Sequence, residues 1–490
     1  MSDEVYKEIE RLCEAKELDR AYAIVTKLLN DNPTNGRALV SAGHIMCLAE
    51  HHAESYHFCR SACQILPTNP AAWMNFGHIC SLMSLHEEAE QHYLTALKYC
   101  TELRDQKTVW INLAALYVDH GLFEKGEAMS RKVLEVDPEQ RSALSNLGFC
   151  QLARRDWNGW KNYRLTLGSD WRPRSDYGVP EWDGTPGKTV VLYGDQGLGD
   201  EISFASMIPD AIATCKKVII DCDPRLEGLF RRSFPKAKVY GTRRAKDGQW
   251  AKEDRQIDAA LPIGQIGEYF RLRNEDFPGT PYLVPDPDRV RMWKALFAAK
   301  GKPAIGIAWT GGVPKSNARN RRLALKDFAP VFKAVDAHYV SLQYKDATAE
   351  TAGTPIHQYP YGTLTKDYDD TAALIASLDY VLCIQTAVAH TAGALGTPVT
   401  VLLPVATQWR YGTAHTTIPW YDCLRVIRQK KTGHWEIEIE RAARELATYF
   451  SRVPGGTGTI ARTDGLRDSG GSLCAPRVEH RQSNGSHPPT

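Results

Sequence analysis

Apolar residues in the first 150 positions recur at three- and four-residue spacing, in runs separated by short polar turns, which predicts a series of amphipathic helices. From Lys188 onward the pattern changes. Short runs rich in Val, Ile, Leu and Tyr alternate with helical stretches: Lys188–Tyr193, Lys217–Ile220, the run from Ala304, Tyr339–Gln343, Tyr380–Ile384 and Val399–Leu403. Such runs, apolar without alternation, read as strands of a parallel sheet buried on both faces. Trp435–Phe450 returns to a helical pattern. From Arg452 on Gly, Ser, Pro and Arg dominate without apolar periodicity, so residues 452–490 are expected to be a disordered tail. The expected class is α plus α/β: a helical solenoid followed by Rossmann-like sheets.

Within the helical part, Pro33 and Pro67 lie 34 residues apart, the tetratricopeptide period. Signature positions fall in register behind them: Leu39, Ala42, Gly43 and Ala62, then Trp73, Phe76, Gly77, Ala89, Tyr93 and Ala96. Trp110, Leu113, Ala114, Tyr117 and Pro138 follow after a three-residue insertion around Thr101–Lys107, and Leu144, Leu147 and Gly148 open a further repeat. Of the first repeat only the second helix, Ala21 to Pro33, is visible in the pattern. Small residues let paired helices approach while the aromatics fill the gaps, and stacked pairs form a concave surface suited to peptides. His51, His52, His78, His86, His92 and His120 read as surface or groove positions rather than metal ligands. The stretch Trp171 to Gly187, rich in Pro, Gly and aromatics, reads as an ordered connector.

Three places in the α/β half carry candidate chemistry. The first is Gly194-Asp-Gln-Gly-Leu-Gly-Asp-Glu201, a Gly-rich turn entering a helix after a strand. Its spacing, Gly-x-x-Gly-x-Gly, is not that of a dinucleotide fingerprint. In the second, Thr310, Gly311 and Gly312 follow a strand and lead into Lys315, Arg319, Arg321 and Arg322, cations suited to a diphosphate. The third runs from Tyr380 to Pro404: strand, Gln385-Thr386, a helix Ala387–Leu395 with Thr386 at its N-cap, Gly396 and Pro398 as its stop, then another strand. A helix start at the carboxyl edge of a sheet suits a phosphate-bearing ligand. Asp221-Cys-Asp223 has the form of a metal motif, but it ends a strand before Pro224 and reads as structural. Trp409, Arg410, Tyr411, Trp420 and Tyr421 read as a lid or as packing between lobes.

Composition narrows the field. Lys+Arg number 60 against 58 Asp+Glu, a formal charge of +2, so no global field argues for nucleic acid or an anionic membrane. The 12 Cys show neither CxxC pairs nor metal-ligand spacing, which suits free thiols in a reducing compartment. The opening residues lack an apolar signal region and no run approaches about 18 apolar residues, so a cytoplasmic protein without a transmembrane segment is expected.

The segment Gln385-Thr-Ala-Val-Ala-His-Thr-Ala-Gly-Ala-Leu-Gly-Thr-Pro398 resembles the donor site of the heptosyltransferase-like (family 9) glycosyltransferases. Those carry Asp-Thr-(Gly/Ala)-x-x-His before an Ala-Leu-Gly-x-Pro run, and Gln385 stands where they have Asp. Gly-Leu-Gly-Asp-Glu resembles their first loop, and the Trp309–Arg322 stretch is similar to a segment of family-9-like proteins fused to such repeats. The resemblance implies a GT-B fold with the domains 1–165 (repeats), 166–187 (connector), 188–298 (acceptor lobe), 299–451 (nucleotide-sugar lobe) and the tail 452–490. It implies metal-independent, cofactor-free inverting transfer from a nucleotide-diphosphate sugar to a protein or glycan acceptor, with the repeats recruiting acceptor or partner. Asp200 takes the place of the acceptor base, with the alternative that it only caps its helix and that Asp195 or Glu201 is the base. Gly197, Gly199 and Glu201 fall on the acceptor side. Thr310, Gly311, Lys315, Arg319, Arg322, Gln343, Gln385, Thr386, Ala387 and His390 fall on the donor side. A catalytically inactive repeat scaffold is the competing reading, kept open by Gln385.

Overall fold

The computed structural model describes residues 3–169, 172–243, 250–251, 256–311 and 323–452. All but the first residue of the expected tail lies outside them. The chain forms two compact units, and the second half of the sequence contributes residues 267–274 and 406–414 to the first.

The first unit is built on helical hairpins: α1 (Asp3–Glu14), α2 (Leu18–Asp31), α3 (Gly36–Leu48), α4 (His52–Ile65), α5 (Pro70–Leu82), α6 (His86–Tyr99), α7 (Leu103–Asp119), α8 (Phe123–Val136), α9 (Arg141–Ala153) and the short α10 (Gly159–Tyr163). The first repeat therefore has both helices. Its leading helix escapes the signature because it buries Tyr6, Ile9 and Leu12 rather than the usual small and aromatic residues. The repeat is written into the backbone: the turn between paired helices takes a left-handed residue at Lys16, Glu50, Ser84, Gly121 and Arg155. Those positions are 34 residues apart except between Ser84 and Gly121, where three extra residues lengthen α7 to 17. Asn35 and Asn69 cap α3 and α5 by accepting from Ala38 N and Ala72 N, both at 3.1 Å. At the end of the array Trp160 packs against Tyr163 and Trp409, and its indole donates to the Arg271 carbonyl at 3.0 Å. Trp409 thus belongs to the first unit, where the sequence suggests a lid or packing between lobes.

The second unit holds two parallel sheets. The smaller has the order β3-β2-β1-β4, with β1 (Thr189–Tyr193), β2 (Lys217–Asp221), β3 (Lys238–Tyr240) and β4 (Ala259–Pro262). The larger has the order β10-β11-β9-β8-β5-β6-β7, from β5 (Ala304–Ala308), β6 (His338–Ser341), β7 (Ile356–His357), β8 (Tyr380–Ile384), β9 (Val399–Leu403), β10 (Thr417–Ile418) and β11 (Tyr421–Arg428). All neighbours are parallel except β10 and β11. β1, β5, β8 and β9 are buried at every position, as expected of strands covered on both faces. β11 is not evident in the apolar pattern because Asp422, Arg425 and Arg428 interrupt it. Among described residues no helix is long and apolar enough to cross a membrane.

Candidate functional site

Two loop-to-helix turns meet within the second unit. After β1 the chain turns through Gly194–Gly197 into α11 (Leu198–Phe204); after β8 it turns through Gln385 and Thr386 into α12 (Ala387–Leu395). Both turns lie at carboxyl ends of parallel strands. Gly199 brings them together: a Cβ there would stand 3.1 Å from Ala387 Cα and 3.4 Å from His390 Cδ2. Only a glycine permits this approach without displacing α12. Asp200, the next residue, is partly exposed, and its carboxylate accepts from Gly197 N at 3.1 Å, closing the first turn of α11. Asp195, at the start of the turn, is buried.

The described residues expected on the donor side gather around the same edge. Gly311 follows β5, and a Cβ there would overlap the methyl of Thr386. Thr310 Oγ1 accepts from the amide of Gln343, which is itself buried two residues past β6. Gln385 and His390 are buried, at 2% and 4% exposure. Gly396 ends α12 in the left-handed conformation, φ 78°. Lys315, Arg319, Arg321 and Arg322 lie outside the described residues.

The geometry adds detail at two of these positions. Thr386 occupies the N-cap of α12 but its side chain makes no cap hydrogen bond, and its Oγ1 is buried without a partner among the described residues. Glu201, expected on the acceptor side, is 1% exposed, accepts from Asp223 N at 2.7 Å and lies 3.4 Å from the Arg243 guanidinium. Burial pushes its carboxyl up to about 7, against the pull of Arg243. Its role is to brace the turn. Arg243 does the same, since it also donates to the Gln196 carbonyl and reaches Asp223 at 3.3 Å. Asp221 accepts from Tyr177 Oη at 2.7 Å and from Thr242 N and Oγ1, so the Asp-x-Asp pair is engaged in structural bonds.

Sequence reasoning misses a polar chain between the two turns. His390 Nδ1 lies 3.3 Å from Tyr421 Oη, Tyr421 Oη lies 3.5 Å from Tyr282 Oη, and Tyr282 donates to the Ile202 carbonyl of α11 at 2.6 Å. Gly393 of α12 leaves the space that the Tyr421 ring fills. Farther out, Arg232 pairs with the buried Asp369, a second tie between the two sheets' helices. No local pattern marks Tyr282, and Tyr421 stands out only as one aromatic of a cluster, because each matters through partners distant in sequence.

No protein-family model matches this sequence. The chain is 31% identical over 315 residues to Protein FlbA of Caulobacter vibrioides, an alignment that takes in 59% of this chain. The chain spans only 52% of that relative's length. Among solved structures, it is similar to Pseudomonas aeruginosa PilF, at 17% identity and a TM-score of 0.31 over 33% of this chain and 73% of that one. It is also similar to YrrB, described as a TPR protein with an unusual peptide-binding site, at 18% identity and a TM-score of 0.26 over 32% and 77% of the two chains.

Proposed function

We propose that this chain is a GT-B-type glycosyltransferase that moves a sugar from a nucleotide-diphosphate sugar to a protein or glycan acceptor by metal-independent inverting transfer. The observation that carries the reading is the approach of Gly199 to Ala387 and His390. It sets the turn bearing Asp200 beside the helix start that resembles a family-9 donor site. Inverting transfer needs one carboxylate to take the acceptor's proton as the hydroxyl attacks the anomeric carbon, and Asp200 is the partly exposed acid at this junction. The amides at the start of α12 and the cations after Gly311 would receive the diphosphate as it leaves. The helical array, with a surface of the kind that takes peptides, would recruit the acceptor or a partner.

An inactive scaffold is the second reading. Gln385 in place of Asp and the bond of Asp200 to its own helix start both favour it. Donor turnover in wild type and Asp200→Asn separates the two: a donor that is bound and hydrolysed or transferred by wild type alone supports the enzyme, whereas binding without turnover in either supports the scaffold.

A further inference from the structure

Three side chains with metal-ligating atoms converge in the third helical hairpin. Gly77 on α5 faces Tyr93 on α6, whose ring carbon lies 2.7 Å from where a Cβ would stand, so the two helices pack closely. One turn beyond Gly77, Cys80 is fully buried toward that interface. On α6, Glu88 and His92 are four residues apart and share a face. A carboxylate oxygen of Glu88, a ring nitrogen of His92 and Cys80 Sγ all lie within 4.8 Å of one another.

The surroundings hold these groups in place. The His92 ring is stacked on Phe76, with centroids 4.0 Å apart and planes inclined by 15°, and lies against Trp73 at 5.4 Å. Tyr56 Oη donates to Glu88 Oε2 at 3.1 Å, which leaves the other carboxylate oxygen for another contact. Among the described residues no hydrogen bond is made by the Cys80 thiol or the His92 imidazole. Burial lowers the His92 pKa, which keeps the imidazole in its neutral, ligating form. Burial, with Glu88 nearby, pushes the Cys80 thiol up to about 12, so a cation that bound there would have to displace the thiol proton.

In place of the surface-or-groove reading of His92, we propose that Cys80, Glu88 and His92 form a binding site for a divalent zinc ion, supplying thiolate, carboxylate and imidazole, with solvent in a fourth position. The donor set decides the metal class: sulfur and nitrogen ligands select zinc over the oxygen-seeking magnesium and calcium. Tetrahedral zinc with bonds of about 2.0–2.3 Å needs ligand atoms roughly 3.3–3.6 Å apart. The three atoms, within 4.8 Å of one another, would close to that spacing as the ion binds. Binding releases the thiol proton to solvent and involves no redox change. The ion would tie the two helices of one hairpin together and raise the stability of the array with the logarithm of free zinc above its dissociation constant.

The test uses the full chain, treated with chelator and titrated with Co(II) and then Zn(II). One equivalent of Co(II) should give the near-ultraviolet thiolate charge-transfer band and the strong visible bands of tetrahedral geometry, both removed by Zn(II). Cys80→Ser should abolish the charge-transfer band, and Cys63→Ser, a nearby buried thiol, should leave it intact. Glu88→Gln should weaken Zn(II) binding at least tenfold with unchanged helical circular dichroism; this arm decides the matter if Cys80→Ser does not fold. No charge-transfer band in wild type, a full band in Cys80→Ser, or unaltered Zn(II) affinity in Glu88→Gln overturns the proposal.

Discussion

Asp200 can serve as base or as cap, and one substitution separates the two. Asn caps a helix about as well as Asp, so Asp200→Asn should leave thermal stability and donor affinity nearly unchanged. If the carboxylate takes the acceptor proton, turnover should fall by about 10²–10⁴, measured against any acceptor or as slow donor hydrolysis. Equal turnover in the two proteins would assign Asp200 to the cap alone. His338 offers a prediction in pH. It is buried at the start of β6, stacked on His357 and 2.8 Å from Tyr359 Oη, and burial with the neighbouring His357 and Lys300 lowers its pKa to about 4. The unfolded chain, with an ordinary pKa near 6.5, then binds more protons than the folded one between pH 6.5 and 4. Its contribution is present in full above about pH 6.5 and is lost as the pH falls through that window, by at most about 3 kcal/mol. Thermal melts from about pH 7 to 5 should show a shallower decline in His338→Phe than in wild type; parallel declines would rule this group out. At this scale the sequence is legible only in part. Glu201 and Asp200 are adjacent acids in one helical turn, and only the fold shows that the first is enclosed with Arg243 while the second is partly exposed.

The decisive pair of elements is α11 against α12. Gly199→Ala places a methyl 3.1 Å from Ala387 Cα, so the helices must part by a few tenths of an ångström. Overpacking of this kind costs about 1–3 kcal/mol, and turnover should fall at least tenfold because the two turns no longer hold their spacing. At Gly228, where a Cβ meets nothing within 4 Å, the same change should leave turnover unaltered. Equal effects at the two glycines would detach activity from the α11–α12 contact. The strands that flank these helices are readable because short, continuous apolar runs between turn residues have few uses other than a sheet covered on both faces. Ala387–Leu395 is readable from its length, its small residues and its Gly396 stop. β11 is hidden by its charged positions, and the His390–Tyr421–Tyr282 chain is hidden because its members come from three distant stretches.

At the scale of the molecule the repeats are the most legible feature, since a 34-residue period accumulates agreement over several hairpins that no single helix provides. The three-residue insertion is visible both in the sequence and in the spacing of left-handed turns from Ser84 to Gly121. No local pattern reveals that residues 267–274 and 406–414 leave the α/β half to complete the helical unit: Gly267 packs on the Trp160 ring, and Trp409 closes the aromatic cluster. The nucleotide-diphosphate sugar site proposed for the second unit lies where Gly311 and Thr386 meet at the start of α12. Its most direct measurement is calorimetric titration of the full chain with a panel of nucleoside diphosphate sugars, repeated with Gly311→Ala. One donor should bind at one per chain, be displaced by its own nucleoside diphosphate and be weakened at least tenfold in Gly311→Ala, whose methyl collides with Thr386. Absence of binding by every donor in the panel, or identical affinity in Gly311→Ala, would contradict it.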